Sequence, residues 1–162
     1  MNDFAWAVAF DFTKMSIQNT IVEIAVMQHH QAWIKGSDVS KQTKSAQLIC
    51  RSWQQAVEDK YGDRFRREYS VGDGFNEKID LVDLQDAVAY ELKVSKNNTH
   101  FEFYRDIFKV AIHNDHNPRL KIKKLIFITP TEGATKLGTR YGQAVRILAE
   151  QKHSIAVEIC GI

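Results

Sequence analysis

Two carboxylates with the chemistry of a metal site lie on two adjacent predicted strands. The segments 78–84 (KIDLVDL) and 87–94 (AVAYELKV) have the composition of strands, and only Gln85-Asp86 separate them, which predicts a β-hairpin. A turn centred on these two residues sets Asp80 directly opposite Glu91, whether the loop has two residues or four. Like charges that face each other across a ladder repel. The pair is therefore expected to hold a divalent cation, since Mg²⁺ prefers carboxylate oxygens as ligands.

A lysine completes this group of residues on the second strand of the hairpin. The apolar side chains at positions 88, 90, 92 and 94 share one parity and are expected to face the core. Glu91 and Lys93 have the other parity, so both point to the opposite face. An ammonium group there can stabilise a charged phosphate or position a water molecule. The ordinary alternative is a set of solvent-facing polar residues, because an E-x-K tripeptide by itself is common.

Helices on both sides of the hairpin follow from the periodicity of apolar residues and from capping patterns. The spacing predicts one helix over residues 15–34 and a second from about Asp38 or Ser40 to Tyr61. Two capping boxes, Thr99-His-Phe-Glu102 and Thr129-Pro-Thr-Glu132, predict the beginnings of two more helices. The last of these has Pro130 in its first turn and continues through Leu148.

Three further strands complete the predicted order of elements. Residues 64–71 alternate in polarity before the hairpin, and the apolar segments 125–128 and 155–159 follow it. The order is then α-α-β-β-β-α-β-α-β. Such an alternation predicts an α/β domain with a mixed sheet.

This arrangement resembles the PD-(D/E)XK nuclease superfamily, which has the restriction-endonuclease-like fold. The resemblance rests on Asp80 in IDLVDL, at the start of a middle strand, and on Glu91-Leu92-Lys93 in AYELKV on the next strand. A helix and a buried strand follow, as in the αβββαβ core of that family. The resemblance covers roughly residues 40–130, within a single predicted nuclease domain of residues 1–162 that carries an N-terminal helical extension over 1–36.

The resemblance implies roles for these residues. Asp80 and Glu91 would bind Mg²⁺, with the Leu92 carbonyl as a further ligand and Mn²⁺ as an expected substitute. Lys93 would orient the nucleophilic water or stabilise the charge that develops on the phosphate. Ile79 stands where the family name has proline.

The family often has a further glutamate on the helix before the first strand. Glu58 lies near the far end of that predicted helix, and Glu23 lies one helix earlier. The sequence leaves the choice between them open, and a surface role is the simpler reading of each.

The activity that the resemblance implies is Mg²⁺-dependent hydrolysis of phosphodiester bonds in double-stranded DNA, as in type II restriction endonucleases. A homodimer is expected, because one such site cuts one strand. The N-terminal FAWAVAF segment and the additional helix would supply the interface. Two alternatives stay open. One is a structure-selective or repair nuclease, and the other is a non-catalytic nuclease-like module that binds DNA or protein.

The charge and cysteine content place few limits on function. The formal net charge is +2, and the basic clusters Arg64, Arg66, Arg67 and Lys121, Lys123, Lys124 are of a kind that usually forms solvated faces. No apolar run reaches the roughly 20 residues of a membrane span, and the N-terminus lacks the basic leader of a signal peptide. Cys50 and Cys160 are expected to be reduced thiols of a cytoplasmic protein.

Other polar groups are weaker candidates. His113, Asp115 and His116 could be taken for a metal-ligand set, but they lie where polar residues usually cap and turn the chain. Tyr104 and Lys109 are on the helix that follows the E-x-K strand, a position from which family members can support the site. Tyr104 also fits the apolar stripe of that helix and is expected in the core.

Overall fold

Five strands form one mixed sheet in the computed structural model, which describes residues 16–34, 42–95 and 97–162. The strands are β1 (Phe65–Ser70), β2 (Lys78–Asp83), β3 (Val88–Leu92), β4 (Lys124–Thr129) and β5 (Ala156–Gly161). They lie in sequence order, with β1, β2 and β3 antiparallel to one another and β4 and β5 parallel to β3. The predicted α/β class and mixed sheet are confirmed.

Five helices within the described ranges flank this sheet. They are α1 (Ile17–Ile34), α2 (Gln42–Tyr61), α3 (Thr99–His116), α4 (Thr131–Leu137) and α5 (Arg140–His153), and a short 3₁₀ turn covers Gly62–Arg64. None of these helices combines the length and the apolar character that a membrane span needs. The FAWAVAF segment and the predicted helix starts at Asp38 and Ser40 lie outside the described residues.

Apolar clusters cover both faces of the sheet. One cluster joins the sheet to α1 and α2 through Ile21, Trp53, Tyr90 and Ile126. The other joins it to α3, α4 and α5 through Phe103, Val110, Phe127 and Leu137. Strands that are buried on both faces read as continuous apolar runs, which explains the Leu125–Ile128 segment of β4.

The predicted register of the hairpin is confirmed. Leu81 pairs with Tyr90 and Asp83 pairs with Val88, so the four-residue connection is centred on Gln85-Asp86. Asp83 stabilises the turn, because its carboxylate accepts the backbone N–H groups of both turn residues. Arg64 binds the carboxylates of Asp83 and Asp86 from the side of β1. The same register, continued by one residue beyond the last regular pair, sets Asp80 opposite Glu91.

The predicted helix that continues through Leu148 is wrong in one respect, because the structure divides it into α4 and α5. Gly138 and Thr139 separate the two helices, and the Thr139 hydroxyl caps α5 by accepting the Gly142 N–H. The predicted cap at Thr129 is also wrong. Thr129 belongs to β4, where it pairs with Gly161, so Pro130 takes the cap position instead of lying in the first turn.

The predicted cap at Thr99 is displaced by one residue. Asn98 lies just before α3 in the left-handed region, with φ 55°, and Thr99 is the first residue of the helix. Asparagine enters that region more readily than most residues, because its short polar side chain can hydrogen-bond locally. The predicted start of α3 is therefore right in place, and the capping residue is different.

Gly142 is required where α5 passes the end of α4. A Cβ atom at this position would overlap the carbonyl oxygen of Leu137, which is backbone and has little freedom to move. We therefore expect Gly142→Ala to lower the free energy of unfolding by about 2–3 kcal/mol, although alanine is the better helix former. Urea denaturation measures the difference. Gly72→Ala is the control, since its Cβ would meet the nearest atom at an ordinary 3.5 Å, and equal stability of both variants would contradict the prediction.

Candidate active site

The ladder between β1 and β2 is irregular at Asp80. Arg67 pairs with Leu81 and Tyr69 pairs with Ile79, but Glu68 and Asp80 between them form no regular pair. Glu68 has a positive φ of 48°, a conformation that costs energy and is concentrated at functional sites. Ile79 packs in the cluster on the α3 side and Leu81 in the cluster on the α1–α2 side, although positions two apart in a flat strand share one face. Asp80, between them, lines a cleft.

Asp80 and Glu91 lie next to each other, with Glu91 buried. The Asp80 carboxylate accepts the Leu92 N–H at 3.0 Å and also contacts the Glu91 carboxyl. Burial raises the pKa of Asp80, and the Leu92 N–H and the charge of Lys109 partly oppose this. Only 4% of Glu91 is exposed, and its pKa is raised well above the usual range, first by burial and then by the charges of Asp80 and Asp106. A solvent-facing role for Glu91 is thereby excluded.

The ammonium group that contacts this pair belongs to Lys109 of α3. Its Nζ lies 2.5 Å from Glu91 Oε1 and 2.8 Å from Asp106 Oδ1, and it donates to the Lys78 carbonyl at 2.9 Å. The contact with Glu91 is close but poorly directed, because Oε1 has no hydrogen bond of good geometry to any described residue. Three oxygens therefore surround Lys109, and two of them are carboxylates.

Lys93 lies in the same cleft with a looser partner. It follows the last residue of β3, and its backbone N–H donates to the Ile128 carbonyl at 2.8 Å. Its ammonium group is 3.4 Å from Glu102 Oε1, and about a quarter of the side chain is exposed. The structure thus brings the two predicted carboxylates together and places Lys93 on the cleft wall, where its ion pair is with α3.

The two glutamates that the sequence left open lie apart from the carboxylate pair. Glu58 lines the cleft but pairs with Arg67 at 2.9 Å, and Glu23 is exposed on α1. An α2 residue that does reach Asp80 is Gln54, whose amide donates to Glu68 Oε1 and to the Asp80 carbonyl. This buried glutamine joins α2 to β1 and β2 where their ladder is irregular.

The Leu92 carbonyl, the third predicted metal ligand, belongs to a buried residue of the cleft wall. It accepts the thiol hydrogen of Cys50 at 3.3 Å, and Leu92 lines the cleft. A thiol is a weak donor and a carbonyl oxygen has two lone pairs, so the contact leaves capacity for a second partner.

The cleft is large and carries basic side chains around the carboxylates. Its volume is about 1010 Å³. The basic residues that line it are Arg51, Arg66, Arg67, Lys78, Lys93, Arg105 and Lys109. Of the predicted clusters, Arg66 and Arg67 belong to the cleft, while Arg64 turns to the hairpin and Lys124 pairs with Glu158 on β5. Seven acidic residues line the same cleft, so its formal charges balance, and Arg67, Lys93 and Arg105 form ion pairs with acidic residues of the lining.

No protein-family model, curated protein or solved structure matches the chain. The chemistry of the cleft therefore rests on its own residues. Within the described ranges, no three His, Cys, Asp or Glu side chains form a ready ligand group. Mg²⁺ does not need one, because it usually takes one or two carboxylates and retains several waters. Asp80, Glu91 and the Leu92 carbonyl fit that pattern, and the Glu91 oxygen that lacks a hydrogen bond of good geometry is the one that Lys109 contacts.

The remaining predicted candidates have structural roles. The His113 ring is buried and its two nitrogens contact the carbonyls of Val71 and Leu120, while His116 contacts the Ile112 carbonyl. Tyr104 packs against the α3-side cluster, next to Phe103 and Tyr141. These residues support the fold behind the cleft.

Cys50 and Cys160 are both free thiols, as predicted, and both are half-buried. Burial, followed by the charge of Glu158, raises the pKa of Cys160 to about 11. Burial and the nearby charges of Asp80 and Glu91 raise the pKa of Cys50 further. The thiolate is the reactive form, so we expect slow alkylation by iodoacetamide at pH 8 and a rate at Cys160 that rises about tenfold per pH unit up to about pH 11.

Mass spectrometry of each modified cysteine between pH 7 and pH 11 measures these rates. Cys160→Ser is the control, because it leaves Cys50 as the only thiol and should make the native protein nearly inert over this range. Rapid alkylation of either cysteine at pH 7 would contradict the assigned environments.

Proposed function

We propose that this protein is a divalent-metal-dependent endonuclease of the restriction-endonuclease-like type, which hydrolyses phosphodiester bonds of DNA in the cleft. The observation that carries the proposal is the Asp80–Glu91 pair, in which two carboxylates touch and one is buried. Such a pair destabilises a fold unless a cation compensates it. Strongly perturbed carboxyl groups in a cleft are candidates for a functional site.

The order of elements supports the same proposal. The series α2-β1-β2-β3-α3-β4 has the αβββαβ order of the superfamily core, with Asp80 on the middle strand of the hairpin region and Glu91-Leu92-Lys93 at the end of the next strand. Gln54 on α2 contacts the site from the helix on which family members often carry a glutamate. We infer from this placement that Asp80, Glu91 and Lys93 are the catalytic residues.

The chain supplies ligands, orientation and charge to the reaction. Asp80, Glu91 and the Leu92 carbonyl would hold Mg²⁺, or Mn²⁺ in its place. When bound, such an ion lowers the pKa of its water and polarises the scissile phosphate. Lys93 is exposed enough to meet the phosphate and would stabilise the charge that develops on it. Arg66 and Arg67 would attract the DNA backbone to the cleft.

Cleavage of supercoiled plasmid by the purified full chain tests this proposal. We expect nicked or linear products with Mg²⁺ or Mn²⁺ and intact plasmid with EDTA. Discrete fragments would favour a sequence-specific endonuclease, and cleavage only at branched or damaged DNA would favour a structure-selective or repair nuclease. Linear products without a nicked intermediate would support the expected homodimer. Cleavage that persists undiminished in EDTA would contradict the metal-dependent chemistry.

A non-catalytic nuclease-like module is the second candidate, and one observation favours it. Lys109 already provides a positive charge to Glu91 and Asp106, which reduces the need for a metal ion. Binding of DNA or of a protein partner without cleavage, and without binding of Mg²⁺ or Mn²⁺, would support that alternative.

A further inference from the structure

Lys109 is the most buried basic side chain of the cleft. Only 5% of the residue is exposed, and its ammonium contacts two carboxylates and one carbonyl. These three oxygens surround the ammonium group, and the contact with Glu91 is an ion pair rather than a well-directed hydrogen bond. Lys109 is therefore enclosed by oxygens of the protein, and its role differs from that of Lys93, which is partly exposed.

The carboxylates around Lys109 leave a net charge that one divalent cation would neutralise. Asp80, Glu91 and Asp106 bring three carboxylates to the cluster, and Lys109 supplies one positive charge. Two negative charges remain in this buried cluster when all three carboxylates are ionised. Glu68 is near Asp80 but is exposed to solvent, so its charge is screened.

Lys109 lies on one side of the carboxylate cluster. It lies between Glu91 and Asp106, on the side of α3, while Asp80 and the Leu92 carbonyl lie on the hairpin side. Glu91 Oε1, the oxygen that contacts Lys109, is buried and has no hydrogen bond of good geometry to any described residue. A cation on the α3 side is thus already part of the chain, and its charge also acts on Asp80, which it does not contact within ion-pair distance.

We propose that Lys109 is a built-in counter-ion that takes the place of a second divalent cation, so that the cleft binds a single metal ion. Two-metal sites hold their ions about 3.5–4 Å apart between shared carboxylates. In this protein Glu91 would be the shared carboxylate. The ammonium of Lys109 contacts its Oε1 atom, where a second metal ion would otherwise bind. This inference rests on the proposed function only in requiring that Asp80 and Glu91 hold a metal ion.

The stoichiometry of Mn²⁺ binding tests the inference without any measurement of activity. The full chain is titrated with Mn²⁺, and the free ion is followed by electron paramagnetic resonance. We expect one equivalent for the wild type and two for Lys109→Met, which removes the ammonium and keeps a side chain of similar length. Lys109→Gln removes the charge but retains a donor for the Lys78 carbonyl, and it gives the same comparison where Lys109→Met does not fold.

Two matched variants separate a local charge effect from a general one. Lys78→Met removes an exposed lysine of the same cleft and leaves its backbone carbonyl in place, so it should still bind one equivalent. Lys109→Arg keeps the positive charge and should also bind one equivalent. A merely structural lysine would change stability in these variants without changing the number of bound ions.

The outcomes distinguish this inference from the proposed function. Two equivalents bound by the wild type, or one equivalent at unchanged affinity in Lys109→Met and Lys109→Gln, would overturn the counter-ion role and leave the nuclease proposal standing. Absence of bound Mn²⁺ in the wild type and in every variant would overturn both.

Discussion

Replacing Asp80 by asparagine should lower metal-dependent DNA cleavage by about 10³-fold or more and should leave the fold intact. Asparagine keeps an oxygen that can accept the Leu92 N–H, so the local backbone has the same partner. What it removes is one of the two negative charges that would bind the metal ion. We expect the affinity for Mn²⁺ to fall by about tenfold or more for the same reason.

The stability of Asp80→Asn should change in the opposite direction from its activity. The charge of Asp80 is the second largest cause, after burial, of the raised pKa of Glu91. Removing that charge relieves a repulsion, so without metal the variant should be as stable as the wild type or more stable. This opposition between activity and stability is typical of residues kept for function. Initial cleavage rates and thermal unfolding in EDTA measure the two effects.

Asp83→Asn is the matched control on the same strand. Asp83 is buried like Glu91, but Arg64 pairs with it and the turn N–H groups bind it. We therefore expect Asp83→Asn to lower stability, because Arg64 loses its buried carboxylate partner and keeps only the exposed Asp86, and to retain cleavage per folded molecule. Undiminished cleavage in Asp80→Asn or Glu91→Gln would exclude the Asp80–Glu91 pair as the catalytic centre.

The register of the hairpin could be predicted from the sequence because it depends on a local feature. A turn fixes the pairing of the strands beside it, so the position of Gln85-Asp86 was enough to place Asp80 opposite Glu91. The order of helices and strands is local in the same sense, since periodicity and capping residues report on a few neighbouring positions. The predicted cap at Thr129 is wrong because pairing of this residue with Gly161 in β4 outweighs its capping pattern.

The surroundings of the carboxylates could not be predicted, because they depend on packing between distant segments. Asp106 and Lys109 are three positions apart on α3, a common spacing for a surface ion pair. Only the packing of α3 on the sheet turns both toward Glu91. Gln54 of α2 contacts Asp80 in the same way, although it lies 26 residues earlier in the chain. The positive φ of Glu68 has no signal in the sequence, since glutamate is rare in that conformation.

Lys93 and Lys109, two lysines of the cleft, differ in exposure and in their partners. Lys109 is enclosed by oxygens, whereas Lys93 is partly exposed and has a 3.4 Å ion pair with Glu102. Exposed ion pairs of this kind contribute about 0–1 kcal/mol, so the Lys93 ammonium can leave Glu102 for a phosphate at small cost. Lys93 therefore remains the residue expected to act on the substrate.

Lys93→Met should reduce the cleavage rate by about 10²–10³-fold while DNA binding and Mn²⁺ stoichiometry stay close to those of the wild type. The reason is that the ammonium acts on charge that develops during the reaction, which neither binding measurement detects. Lys78→Met is the control, because it removes the same charge from the same cleft at an exposed position. Both variants lose one attraction for phosphate, so a small and equal loss of DNA affinity is expected in each. Single-turnover cleavage at saturating protein isolates the chemical step, and equal rates for Lys93→Met and Lys78→Met would remove Lys93 from the catalytic residues.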